Sequence, residues 1–167
     1  LQKVLKELCP PETTKFNIFK IIRLGTGLAT ADEFREAMEL NFIKITEWGK
    51  DILYKPAFVA ATEETKVNLV VVSIAELGFK KATYLKDIYR RALELGLELC
   101  PAEVGPQLRL QYMNQPPNTN LLIGMEPIEG HSVFDVSCSG DKLYLGGNNG
   151  SPHSTWGEVN RWVFIQR

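Results

Sequence analysis

Residues 67–74, VNLVVVSI, constrain this chain more than any other stretch. The run is almost continuously apolar and rich in β-branched residues. Such a run reads as a strand covered on both faces, so the spacing predicts a central strand of a sheet. A helix signal of a different period follows directly. Leu85, Ile88, Ala92 and Leu95 recur at helical spacing and make one buried stripe over residues 84–95. Thr83 stands where an N-cap is expected. Asp87 with Arg91 and Arg90 with Glu94 fall at i,i+4 on the outer face, and Gly96 suits a left-handed C-terminal stop. A strand followed by an amphipathic helix needs further layers to cover both.

The first third supplies helices. Val4, Leu5 and Leu8 form a short stripe ended by Pro10 and Pro11, which reads as a helical arm or lead-in segment over residues 1–15. Residues 16–24, FNIFKIIRL, read as a strand that opens the domain proper, 16–167. Thr30-Ala31-Asp32-Glu33 is a capping box ahead of a helix with Phe34, Ala37 and Met38 on one face. A second short helix fits residues 46–54, stopped by Pro56, and residues 57–61 read as a short strand.

The second half reads as antiparallel β: strands at 121–128, 132–138, 142–145 and 161–166, with a hairpin turn at Ser139-Gly140-Asp141 and a long loop over residues 146–154. The last strand, RWVFIQR, is apolar on both faces and is expected inside the sheet. Between the halves lies GLELCPAEVGPQLRLQY, residues 96–112. Its Leu108, Leu110 and Tyr112 alternate with Arg109 and Gln111, which argues strand, and a helix over 101–111 is the alternative. The fold class that follows is α+β: a single domain with helices packed on a mainly antiparallel β-sheet.

Charge balance narrows the function classes. Nineteen basic and 20 acidic residues leave a net charge of −1. No one-sign field exists to capture nucleic acid or an anionic membrane surface. Cys9, Cys100 and Cys138 are widely spaced and form no CxxC pair, which fits a reducing, cytoplasmic setting. No apolar run reaches membrane-spanning length and no signal-peptide pattern is present.

Four constellations carry chemistry, each with a plainer structural reading beside it. Gly25-Thr26-Gly27 lies between a strand and a helix start, where free backbone N–H groups bind phosphate. The third glycine of a dinucleotide fingerprint is missing, so a tight turn is the plainer reading. Cys100 is a nucleophile if His131 or His153 is its base and Asp135 or Asp141 orients that base; otherwise it is a small buried apolar residue. Glu103, Arg109 and Glu126 each sit among apolar residues. They form either an acid/base set with one raised pKa or a buried ion pair in which Arg109 satisfies a carboxylate. Tyr144, Asn148, Asn149 and Trp156 combine aromatic faces with planar amides, which suits a sugar or flat ligand; the plainer reading is core aromatics beside a mobile loop. His131, Cys138 and His153 match no zinc spacing, and the sequence calls for no metal and no cofactor.

The string VNLVVVSIAELGFKKATYLKDIYRRALELGLELCPAEVGPQLRLQY, with the following MEPI, a VF strand and a terminal WVFIQR strand, resembles a group of small bacterial proteins of uncharacterised function. The resemblance runs over about 18–167 and is densest over 67–128. It implies a bacterial, soluble, single-domain protein and names no reaction. Taken together, these features lead to the expectation of a non-catalytic domain that binds a small ligand or a protein partner. The alternative is a hydrolase-type enzyme using the Glu103, Arg109 and Glu126 cluster, with Cys100 as a further candidate.

Overall fold

The computed structural model describes residues 15–167, so the helical arm expected at the start of the chain lies outside the described residues. Strand β1 (Lys20–Leu24) turns Ile22 and Leu24 inward and leaves Ile21 and Arg23 outside. Helix α1 (Ala31–Leu40) starts at the expected capping box. The Thr30 hydroxyl accepts from Glu33 N at 3.2 Å and donates to Glu33 Oε1 at 3.1 Å. A short β2 (Lys44–Ile45) leads into α2 (Glu47–Leu53), capped by the Thr46 hydroxyl. Residues 57–61 form no strand; they run as an irregular segment.

Strand β3 (Thr65–Ser73) is the β-branched run. It lies between β1 and β9 (Arg161–Ile165), second from the edge rather than central, and is buried mainly from Leu69 onward. The two-residue β4 (Thr83–Tyr84) precedes α3 (Leu85–Glu94). The expected cap moves by one residue: Thr83 pairs with Trp156 in a two-stranded ribbon, and Tyr84 takes the N-cap position without a side-chain bond. The surface pairs also shift, to Asp87 with Arg90 and Arg91 with Glu94, each at i,i+3. Gly96 ends this helix with φ +87°.

Helix α4 (Val104–Gln111) replaces the strand expected there. Gly105 and Pro106 look like a break in sequence, but both fall in the first helical turn, where the missing N–H of proline costs nothing. Residues 104–109 are all buried, so the alternation around Arg109 reports no single exposed face. A Cβ on Gly105 would stand 2.5 Å from the Phe134 ring, and the glycine lets the helix press onto the sheet.

Strands β5 (Thr119–Ile123), β6 (Ser132–Ser139) and β7 (Lys142–Asn149) follow, joined at β6–β7 by the expected turn with Gly140 at φ +62°. β7 runs four residues further than expected. Gly147 is a strand residue against which Trp48 and Ile52 of α2 pack. The last short strand, β8 (Thr155–Trp156), completes the ribbon with β4. The main sheet has the order β1-β3-β9-β5-β6-β7-β2. Four of its six pairings are antiparallel; β5–β9 and β2–β7 are parallel. The terminal strand is interior, as its two apolar faces require. One hydrophobic cluster runs through the helices and both ends of the sheet. The fold is α+β, with helices packed on a mostly antiparallel, curled sheet. Among the described residues no helix is long and apolar enough to cross a membrane.

Candidate ligand cleft

The junction between the helical half and the sheet borders a cleft of about 690 Å³. Leu99, Pro101, Val59, Val67 and Ile165 give it its apolar lining. Lys66, Asn68 and Gln166 supply polar groups, and an ion pair of Glu98 with Arg167 at 2.7 Å stands on the rim. Glu103 also lines it and is only 1% exposed.

Glu103 sits at the N-cap position of α4, yet its carboxylate does not cap that helix. It reaches across to two other segments. Oε2 accepts from Gly25 N at 2.8 Å and from Gln107 Nε2 at 3.0 Å, and Oε1 accepts from Ala61 N at 2.7 Å. Gln107 Nε2 also donates to the Thr26 hydroxyl at 2.9 Å. Gly25 is fixed in identity as well as place: φ is +65°, and a Cβ there would come within 2.1 Å of Glu63 O. The amide that the Gly25-Thr26-Gly27 turn offers to an anion is thus taken by the chain's own carboxylate. Among the described residues no Lys or Arg lies within 4 Å of Glu103, so the charge is balanced by N–H dipoles alone. An ionised carboxylate has about four acceptor sites, and these donors use three.

The expected ion pair of Glu103 with Arg109 does not form. Arg109 is fully buried on the same helix but points to the sheet. Nη1 donates to Gln115 Oε1 at 2.7 Å and to Ser137 O at 2.9 Å, with a longer contact to Tyr144 O at 3.5 Å. Nη2 donates to Tyr112 O, and Nε has no partner among the described residues. Carbonyl dipoles take the place of a carboxylate. Burial pulls the guanidinium pKa down to about 10, so it stays charged at neutral pH. Glu126 is exposed beyond the end of β5 and joins neither residue.

Cys100 lies in the core with its Sγ facing Val163 O at 3.5 Å, and burial pushes its thiol pKa far above the usual range. His131 and His153 are both exposed; His131 Nδ1 contacts Glu129 O, and His153 stands edge-on to Tyr84. The structure does not bring a base to this thiol.

The residues read as a possible sugar site divide. Tyr144 and Asn148 share one sheet face, by the register of β7 on β6. Asn149 faces the other way, and its Oδ1 accepts from Ser151 N at 2.9 Å. Trp156 packs edge-to-face on buried Trp162 at 5.3 Å and donates to the Ser154 hydroxyl at 3.0 Å. Sequence reasoning missed the group at the centre of that face, Asp135, which it had placed only as a histidine partner. Asp135 is 8% exposed, and Oδ2 accepts from Asn148 Nδ2 at 3.1 Å. Burial raises its pKa to about 6, against the opposing pull of the Asn148 and Asn120 amides. Gly146 opposite leaves room for this carboxylate, since a Cβ there would come within 2.5 Å of Oδ1. The one signal available was a lone acid inside the apolar run VFDV.

Set against protein-family models, curated proteins and solved structures, the chain matches none of them.

Proposed function

We propose that this chain is a non-catalytic binding domain of a bacterial cytoplasm and that its cleft holds a small amphipathic ligand with a cationic or N–H-donating head. The observation that carries this reading is the pairing of apolar walls with Glu103. The cavity, about 690 Å³, is of the size that encloses a small organic molecule. Its lining holds a carboxylate balanced, among the described residues, by dipoles and by no cation, so a positive head gains where a negative one loses. A non-catalytic reading is supported by the groups themselves: burial holds the Cys100 thiol protonated, and Glu103, Arg109 and Glu126 point to separate surroundings. Buried free thiols at Cys100 and Cys138 suit a reducing compartment.

A thermal-shift series with matched alkylamines and alkyl carboxylates tests the proposal. A ligand that binds only the native state raises the melting midpoint with concentration. The amines are expected to raise it and the carboxylates to leave it unmoved. Equal shifts from both sets, or none from either, contradict the reading.

One observation favours a second seat. Asp135, Asn148 and Tyr144 present a carboxylate, an amide and an aromatic ring on one half-open sheet face, the donor set a polyhydroxylated ring requires. Binding there shows as amide shifts confined to β6 and β7 when monosaccharides are added.

A further inference from the structure

A second cavity, about 530 Å³, lies away from the cleft, where the sheet is incomplete. β5 pairs with β6 from Thr119 to Leu122, but it meets β9 only at Leu122 and Ile123. Thr119, Asn120 and Leu121 therefore have no strand partner on the β9 side, and all three line this groove. Its apolar surface comes from Phe19, Val71, Tyr112 and Val159, of which Val159 is 88% exposed. Thr119 O accepts from Gln115 Nε2 at 3.3 Å, and the rest of this short segment, paired on its β6 side only, lies beside exposed apolar side chains, the arrangement that takes up an added strand.

Two cations stand at the groove. Arg161 lines it, and its guanidinium donates only to the backbone carbonyls of Glu158 and Asn160. Lys20 Nζ stands over the Tyr112 ring, 5.5 Å from the centroid. Among the described residues neither cation has a carboxylate within 4 Å, and no Asp or Glu lines the groove. The other polar groups, Asn118, Asn120 and Asn160, are neutral amides. From the open strand edge, the apolar floor and the two uncompensated cations, we infer that this groove is a docking site for an extended acidic peptide segment of a partner protein. The segment adds alongside β5, sets alternate apolar side chains on Val71 and Tyr112, and turns its carboxylates to Arg161 and Lys20.

Two fluorescein-labelled octapeptides test this, one alternating Val with Glu and one alternating Val with Lys, followed by fluorescence anisotropy at low and at physiological salt. The acidic peptide is expected to bind and to weaken with salt. The Lys20→Glu, Arg161→Glu double variant is expected to bind it about tenfold more weakly while still melting cooperatively, because neither side chain belongs to the buried core. Val71→Lys should abolish binding, whereas Val59→Trp, in the separate cleft, should leave it unchanged. Three results overturn the inference. They are no binding of the acidic peptide, equal binding of both peptides, and a charge-reversed variant that binds as wild type does. Self-association blocked by Arg161→Glu would assign the groove to a second copy of the chain instead.

Discussion

Arg109→Leu tests the least expected feature of the core, a buried guanidinium held by carbonyls. The substitution removes the charge and orphans the acceptors around it. Three of these, Gln115 Oε1, Ser137 O and Tyr112 O, are held closely, and Tyr144 O more loosely. A buried acceptor stripped of its donor costs on the order of 1–3 kcal/mol, so the three close bonds place the gross loss at roughly 3–9 kcal/mol. An opposing effect is the desolvation that the guanidinium no longer suffers. Its pKa is drawn down from 12.5 to about 10, which corresponds to about 3 kcal/mol returned. The difference leaves a net destabilisation of about 3 kcal/mol, taken near the middle of the range. For a chain of this length that lowers the melting midpoint by roughly 6–12 °C. Urea unfolding with a shared slope measures it. Amide exchange should rise first in residues 112–119, the segment that Arg109 ties to β6 and β7. A change below about 1 kcal/mol would refute the reasoning, since it would mean that water replaces the lost donors and the site is not sealed.

Asp135→Asn carries a pH signature. The folded-state pKa is raised from 3.8 to about 6, so the charged form is the disfavoured one in the native state. The contribution of this group to stability is complete below pH 4 and is lost as pH rises through 6. About two pKa units amount to roughly 3 kcal/mol at most. The variant should gain stability on wild type at pH 8 and lose that gain at pH 4; an offset equal at both, read from urea midpoints, contradicts it. Gly25→Ala forces a Cβ into Glu63 O and a left-handed φ on alanine, and should cost more than about 2 kcal/mol by thermal melting.

The parts of the fold that were legible in the sequence share a physical reason. The terminal RWVFI strand is apolar at consecutive positions, which only an interior strand satisfies, and it lies between β3 and β5. The Thr30 capping box works through side chains three residues apart, and it formed. What was not legible depends on partners distant in sequence. Gly105 and Pro106 resemble a break until the helix start is known to precede them. Gly146 and Gly147 resemble a loop, but they are glycine because Asp135 and Trp48 occupy the space of their side chains. At the candidate site, Glu103 was visible as a carboxylate among apolar residues. Its partners were not, because they are backbone amides of Gly25 and Ala61, and a backbone donor leaves no mark on the sequence. Arg109 was assigned a carboxylate because buried charges usually need one; here Gln115 and three carbonyls serve.

Isothermal titration of octylamine into wild type and into Val59→Trp tests the cleft most directly. Val59 is 70% exposed on the cleft wall, so a larger side chain there fills the cavity without disturbing the core. The account predicts saturable binding to wild type, loss of at least about tenfold in affinity in the variant, and no binding of octanoate by either. Octylamine binding that survives Val59→Trp unchanged, or octanoate binding as tight as that of the amine, would contradict it.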